Sequence, residues 1–288
     1  MHFTVYIYNI KRGMQEPYRS NIAMWNSTRE ELQRAYPSSS SHLHRATVRV
    51  RYADVFDAHR RLTPIEVWKM STIDAAEELH RGLRDNNDNG RIAVLNMADD
   101  RSPGGCVATG SPAQEESLFR CTSLSLHLSD DMYPIGHDEL LYTTHVQVFK
   151  RDSDGSRIET PFPVDVITCP GLRNPKLTPS SGLSATDTAH LVTKIRTIFG
   201  AARRKGVTHL VLGALGCGAW KCPPRQVADA FKSVCEEHDG AFEKIVFAIL
   251  ALQPLPPPMP GFPPPQVTLG ADDDNAAVFE DVLLGNLG

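Results

Sequence analysis

The chain has 288 residues, of which 41% are hydrophobic and 22% are charged, and its formal net charge is −4. This composition is typical of a globular protein and excludes the fibrous and disordered classes. A membrane-spanning protein is also excluded, because no segment approaches the roughly 20 consecutive apolar residues that a span requires. The negative charge argues against strong unspecific binding to a nucleic-acid backbone. The N-terminal residues lack the order of a signal peptide, so we expect a cytoplasmic or nuclear protein.

The cysteines predict neither a disulfide scaffold nor a metal centre. Six cysteines are sparse for a chain of this length, and no pair has the C-x-x-C spacing of a zinc site. Reduced thiols are the expectation. We therefore expect no metal and no cofactor.

Residues 1–88 are predicted to form a helical, charged N-terminal accessory region. Apolar residues recur at helical spacing over 28–36 and over 64–84, where a proline opens the second run. Between these runs, residues 47–52 alternate apolar and basic side chains, as an edge strand does. The polar run 85–90 then predicts a turn.

Residues 89–252 have a different pattern of apolar residues and are predicted to form the core of the fold. Short apolar runs predict buried strands over 92–97, 140–149, 164–169, 210–214 and 245–250. Helical patterns separate most of them, over 113–126, 185–205 and 223–237. Alternating strands and helices predict a mostly parallel sheet with helices on both faces. Ligands of such sheets bind beyond the carboxyl ends of the strands.

The C-terminal part contains a proline-rich segment, 253–271, that is predicted to be an extended linker or loop. A docking site for a proline-recognising domain is the alternative. Residues 272–288 are predicted to pack back on the core, with a helix over 272–284. We expect a monomer that has no membrane partner.

The loop after the strand at 92–97 carries the first group of residues that indicates chemistry. Two consecutive glycines let the backbone approach a ligand and turn N–H groups toward an anion. Seven residues further on, a helix begins with two adjacent carboxylates, the kind of group that acid–base catalysis uses. The motif residues are Gly104, Gly105, Cys106, Gln114, Glu115 and Glu116.

A second loop follows the strand at 210–214 and precedes two prolines that open a helix. Glycines between a strand and a helix N-terminus suit the binding of a diphosphate. An ordinary glycine-rich connection is the alternative when this loop is taken alone. It is not a P-loop, since the Gly-Lys-Ser/Thr of that motif is missing. The loop residues are Gly216, Cys217, Gly218, Ala219 and Trp220.

Together the two loops resemble the microbial type of poly(ADP-ribose) glycohydrolase, a macrodomain-related family. Its signature is three glycines, six to eight residues, and then Gln-Glu-Glu. Residues 94–98, Val-Leu-Asn-Met-Ala, resemble the Val-Leu-Asn-Phe-Ala of the family, and residues 216–220 resemble its Gly-Cys-Gly-Ala-Phe. Residues 164–175 resemble its central strand and following loop. The similarity extends over about residues 91–250.

The resemblance implies an α/β fold, a three-layer α/β/α macrodomain-like mixed sheet with a helical N-terminal accessory region, and it makes residues 89–252 the macrodomain-like catalytic core. It implies hydrolysis of the O-glycosidic ribose–ribose bond of poly(ADP-ribose), or release of ADP-ribose from a modified macromolecule. Glu116 would be the catalytic acid, while Glu115 and Asn96 would face the ribose. Substrate-binding roles are implied for the backbone of Gly104, Gly105 and residues 216–219, for Cys106 and Gln114, and for Trp220, which would pack against the terminal ribose.

The sequence leaves two questions about these roles open. A neighbouring carboxylate raises the pKa of a catalytic acid and a helix N-terminus lowers it, so the net shift is undecided. Cys106 replaces the third glycine of the signature and would be strained if that position required positive φ. Trp220 is larger than the Phe of the family. A non-catalytic ADP-ribose reader is the alternative function, although the intact Gln114-Glu115-Glu116 favours the enzyme.

Overall fold

A computed structural model describes residues 15–37, 46–51, 62–178, 180, 182–251 and 274–285. The proline-rich segment predicted at 253–271, with the docking site considered there, lies outside the described residues. Among the described helices, none combines the length and the apolar character that crossing a bilayer requires.

Seven strands form one sheet within the described residues. They are β1 (Thr47–Arg51), β2 (Ile65–Trp68), β3 (Ile92–Met97), β4 (Glu139–Lys150), β5 (Arg157–Cys169), β6 (His209–Leu212) and β7 (Lys244–Ala248). Their order is β1-β4-β5-β3-β6-β7-β2. The strands from β5 to β2 in this order are parallel, whereas β4 is antiparallel to both β1 and β5. The sheet is therefore mixed, as expected.

Helices cover both faces of the sheet. The described helices are α1 (Gln15–Ala35), α2 (Thr72–Asp85), α3 (Gln114–Cys121), α4 (Ala185–Arg204), α5 (Pro224–Glu237) and α6 (Asn275–Leu284). Side chains of β3 alternate between two apolar clusters: Ala93 and Leu95 pack with residues of α4, α5 and α6, and Ile92 and Val94 pack with residues of α2 and α3. This alternation follows from the two-residue period of a strand and gives the expected three layers.

The helix predicted over 64–84 was wrong in its first part. Residues Ile65–Trp68 form β2, which pairs in parallel with β7 at the edge of the sheet. The helix α2 begins only at Thr72, after Ser71, whose side chain accepts a hydrogen bond from the Asp74 N–H at 3.1 Å. A strand partner far along the chain outweighed the local helical spacing. Since β1, β2 and α2 all precede residue 89, the sheet extends across the division predicted at residue 88.

The topology brings the carboxyl ends of β5, β3 and β6 together, because these strands are parallel neighbours. The loops that follow them therefore meet at one edge of the sheet. At the chain's other end, α6 packs its buried Phe279 against the rings of Phe231 and Phe247. This helix is the C-terminal element expected to return to the core.

Candidate active site

Gln114 fixes the first turn of α3 against the end of β3. Its Oε1 accepts the Met97 N–H at 2.9 Å, and its Nε2 donates to the Leu95 carbonyl at 2.6 Å and to Thr72 Oγ1 at 3.1 Å. The side chain thus takes the place of a neighbouring strand residue. The resemblance implied that Gln114 binds substrate, but its amide is engaged by atoms of the protein. Its structural effect is to hold the next two residues beside β3.

Glu115 is held through both carboxylate oxygens. Its Oε2 accepts the Asp99 N–H at 2.7 Å, and its Oε1 accepts the Gly104 N–H at 3.2 Å and Asn96 Nδ2 at 3.3 Å. The side chain is 3% exposed. The N–H group that the glycine loop offers to an anion therefore faces a carboxylate of the chain itself.

Burial raises the pKa of Glu115 to about 8, although the Asp99 and Gly104 N–H groups and the Asn96 amide favour its ionised form. The neighbouring Glu116 adds to the increase. A carboxyl out of water loses the solvation of its charge, and a second carboxyl nearby makes that charge still more costly. Glu115 therefore retains its proton to a higher pH than an ordinary carboxyl group does.

The free energy of unfolding is expected to decrease as the pH rises from about 4.5 to about 8 because of Glu115. The unfolded chain releases this proton near the lower value, whereas the folded chain keeps it up to the higher one. The contribution is therefore fully present below the unfolded pKa and lost as the pH passes the folded pKa. Urea unfolding across this range should give a shallower pH dependence for Glu115→Gln than for the wild type, and equal slopes would contradict the shift.

Glu116 differs from Glu115 in its hydrogen bonds. Its Oε1 accepts the Cys106 N–H at 3.0 Å, but no described residue forms a hydrogen bond with its Oε2. A Cβ added to Gly105 would lie 3.0 Å from Glu116 Oε1 and 3.3 Å from Glu115 Oε2. The two carboxylates therefore converge on Gly105, and only a glycine leaves room for both.

Three consecutive residues of this loop have different backbone requirements. Gly104 has a φ of +75° and a Cβ there would lie 2.6 Å from the Phe119 ring, so a glycine is needed. Gly105 also has positive φ, at +49°. Cys106 has a φ of −102° and an exposed thiol, so the strain considered for it is not present. The third glycine of the signature is dispensable in this backbone.

Two buried polar atoms near Glu115 have no hydrogen-bond partner among the described residues: Asn96 Oδ1 and the Tyr133 hydroxyl. Asn96 is fully buried, and its amide donates to Glu115 Oε1 and to Thr168 Oγ1, each at 3.3 Å. Burial raises the pKa of Tyr133, and the charge of Glu115 adds to this. Tyr133 lies in no motif, and no pattern in the sequence marked it as a residue of the site. Such orphan atoms indicate a polar ligand, because an unpaired buried group is costly.

The glycine loop after β6 closes on itself. The Cys222 N–H donates to the Gly216 carbonyl at 3.0 Å, and a Cβ on Gly171, from the loop after β5, would lie 3.0 Å from Gly216 Cα. The two loops are therefore in close contact. No described residue accepts a hydrogen bond from the N–H groups of Gly216, Gly218, Ala219 and Trp220.

Cys217 is half-buried, and burial raises the pKa of its thiol, which keeps it a neutral loop residue.

Arg173, which lies in the loop after β5, connects the other two loops. Its Nε donates to Asp100 Oδ1 at 2.7 Å and its Nη2 donates to Asp99 Oδ2 at 2.6 Å. Its Cζ lies 4.7 Å from the centre of the Trp220 ring, in a cation–π contact. No spacing rule singled out this arginine, which falls inside the family-like run 164–175.

The sequence and the fold are similar to those of known proteins. The family described as "Microbial-type PARG, catalytic domain" matches residues 14–151. Among solved structures, poly(ADP-ribose) glycohydrolase from Thermomonospora curvata is 25% identical, with a TM-score of 0.68 over 91% of this chain and 98% of that one. The glycohydrolase from Deinococcus radiodurans, solved in complex with ADP-ribose, is 26% identical, with a TM-score of 0.63 over 85% and 97%.

A comparison with curated proteins finds no match. The family match includes the loop from Gly104 to Glu116, and the structural match to the Thermomonospora protein covers 91% of the chain. Residues 14–151 are therefore similar to the catalytic domain of the microbial-type poly(ADP-ribose) glycohydrolases, and the fold is similar to that of two solved members.

Proposed function

We propose that this chain hydrolyses the O-glycosidic ribose–ribose bond of poly(ADP-ribose), with Glu116 as the general acid. The observation that carries the assignment is the inequality of the two carboxyl groups. Both oxygens of Glu115 accept N–H donors, whereas Oε2 of Glu116 has no partner among the described residues. An oxygen that no donor occupies is better placed to hand over a proton, and the N–H donors on both oxygens of Glu115 favour its ionised form.

The pKa of Glu115, raised to about 8, taken alone would favour Glu115 as the proton donor. The hydrogen bonds favour the opposite assignment, and we follow them. We assign the proton transfer to Glu116, because no described residue occupies its Oε2 and this oxygen is open to the leaving group. Glu115, which is held through both oxygens, then accepts hydrogen bonds from ribose hydroxyls.

The proposed reaction balances with one proton. Glu116 gives its proton to the leaving ribose oxygen as the bond from the anomeric carbon to that oxygen breaks. Water adds to the resulting oxocarbenium-like carbon and loses a proton to Glu116, which restores the acid. The carboxyl oxygens of Glu115 lie beside the carbon on which positive charge develops, and their partial negative charge stabilises it.

Three further features support ADP-ribose as the bound unit. The unpartnered Asn96 Oδ1 can accept a hydroxyl hydrogen of the ribose beside Glu115. The N–H groups of residues 216 and 218–220 can receive the diphosphate oxygens. Trp220 is half-buried and offers an aromatic face at the same edge of the sheet. The related Deinococcus protein was solved with ADP-ribose bound.

The test is release of free ADP-ribose from poly(ADP-ribosyl)ated protein by the wild-type chain, with a mono-ADP-ribosylated protein as a parallel substrate. Release from the polymer supports the proposal. Release from the mono-modified protein alone would move the activity to the macromolecular linkage. Tight ADP-ribose binding without any release would instead identify a reader.

A further inference from the structure

Arg173 is the residue that joins the three loops at the catalytic edge of the sheet. It comes from the loop after β5, its guanidinium pairs with Asp99 and Asp100 in the loop after β3, and it stacks on Trp220 in the loop after β6. Arginine suits both contacts, because its planar guanidinium offers several donors at its edge and a flat face to an aromatic ring. We call this group of four residues the arginine clasp.

The first arm of the clasp leads to the carboxylate pair. Asp99 donates its N–H to Glu115 Oε2 at 2.7 Å, and its own Oδ1 accepts the N–H groups of Arg101 at 2.8 Å and Ser102 at 3.1 Å. Arg173 holds the other carboxylate oxygen of Asp99. Asp99 is therefore fixed on both sides, and so is the N–H that it offers to Glu115.

The second arm leads to the wall of the cleft. Trp220 is half-buried, and the contact with the guanidinium restricts where its ring can lie. A lysine would keep the positive charge for Asp99 but would lose the planar stacking and the two-pronged pairing. The two arms can therefore be separated by substitution.

The arginine clasp is partly exposed to solvent, so we expect it to add little to the free energy of unfolding of the whole protein. The side chains of Arg173, Asp99 and Asp100 are 33%, 26% and 30% exposed. Ion pairs at this exposure contribute little to the stability of a fold. Their effect is local: Arg173 from the loop after β5 and the two aspartates from the loop after β3 hold these loops in one arrangement.

We propose that Arg173 is a positioning residue of this enzyme: through Asp99 it fixes a hydrogen-bond donor of Glu115, and through Trp220 it fixes the aromatic wall of the ADP-ribose cleft. The kinetic part of this inference rests on the proposed function. The structural part does not, because it concerns the loops of the protein without ligand.

The kinetic test compares Arg173→Ala, Arg173→Lys and the wild type. We expect kcat of the alanine variant to be about ten- to hundredfold lower and its KM to be higher than in the wild type. Small displacements of reacting groups have effects of that order. The lysine variant should keep kcat within a few-fold, because it retains a cation beside Asp99, while its KM rises. Arg81→Ala is the matched control: Arg81 is exposed and pairs with Glu78 inside α2, shortly before the chain enters the start of β3, and its loss should change neither constant.

A double-mutant cycle separates positioning from direct contact with substrate. If Arg173 acts through Trp220 and Asp99, then Arg173→Ala should cost less in the background of Trp220→Leu or Asp99→Asn than in the wild type. Full additivity, or wild-type kcat and KM in Arg173→Ala, would overturn the proposal. A lysine variant as poor as the alanine variant in kcat would overturn the arm through Asp99.

Amide hydrogen exchange of the ligand-free protein tests the clasp independently of activity. The N–H groups of Asp99 and Gly104 are hydrogen-bonded to Glu115, and they should exchange faster in Arg173→Ala and remain protected in Arg81→Ala. Unchanged protection would overturn the proposal even in an active enzyme. If the wild type releases no ADP-ribose, the proposed function fails, and exchange still decides whether Arg173 orders the loop.

Discussion

Replacing Glu116 by glutamine is expected to lower kcat by about 10²- to 10⁴-fold, the range that a general acid supplies. Glutamine has the same shape, and its Oε1 can still accept the Cys106 N–H that now reaches Glu116 at 3.0 Å. Its amide cannot give a proton to the leaving ribose oxygen. The loop and the cleft should therefore persist, and only turnover should be lost. Release of ADP-ribose from modified protein and calorimetric ADP-ribose binding measure the two properties separately.

Glu236→Gln provides the matched control for the acid. Glu236 is exposed on α5, far along the chain from the carboxylate pair, and the same chemical change there should leave kcat as it is. Glu115→Gln is the informative companion. If Glu116→Gln stays active and Glu115→Gln does not, the proton belongs to Glu115, the residue with the pKa of about 8, and the roles are exchanged.

The chemistry-bearing loops could be predicted from the sequence because their constraints are local. Positive φ at Gly104 and Gly105 and the close approach of both carboxylates to Gly105 admit little besides glycine. Such positions leave a mark in the sequence itself. At Cys106 the sequence left open whether positive φ is required, and the φ of −102° shows that it is not.

Features that depend on contacts between distant segments of the chain could not be predicted from local sequence patterns. The strand β2 is set by its pairing with β7, about 180 residues later, so the helical spacing over 64–84 misled at its start. Arg173 and Tyr133 reach the site only because β5 and the segment before β4 fold beside β3. Gln114 fits a family signature in sequence, but only the structure shows that its amide binds the end of β3.

Gly105→Ala, which adds a single methyl group beside both carboxylates, is expected to lower kcat by about hundredfold. The new Cβ would lie 3.0 Å from Glu116 Oε1 and 3.3 Å from Glu115 Oε2, so at least one carboxylate must move. The φ of +49° adds backbone strain for any residue with a side chain. Both effects act on the atoms that carry the proton, and neither removes a functional group. Steady-state ADP-ribose release, together with thermal unfolding, measures the consequence.

Gly82→Ala distinguishes this local effect from a general cost of replacing glycine. Gly82 lies on the exposed side of α2, and a Cβ there would meet nothing within 4 Å. Alanine favours a helix by about 0.5–1 kcal/mol over glycine, so this variant should unfold at a higher temperature with unchanged kcat. A Gly105→Ala enzyme with wild-type kcat would mean that the carboxylates tolerate displacement. The convergence of Glu115 and Glu116 on Gly105 would then have no part in catalysis.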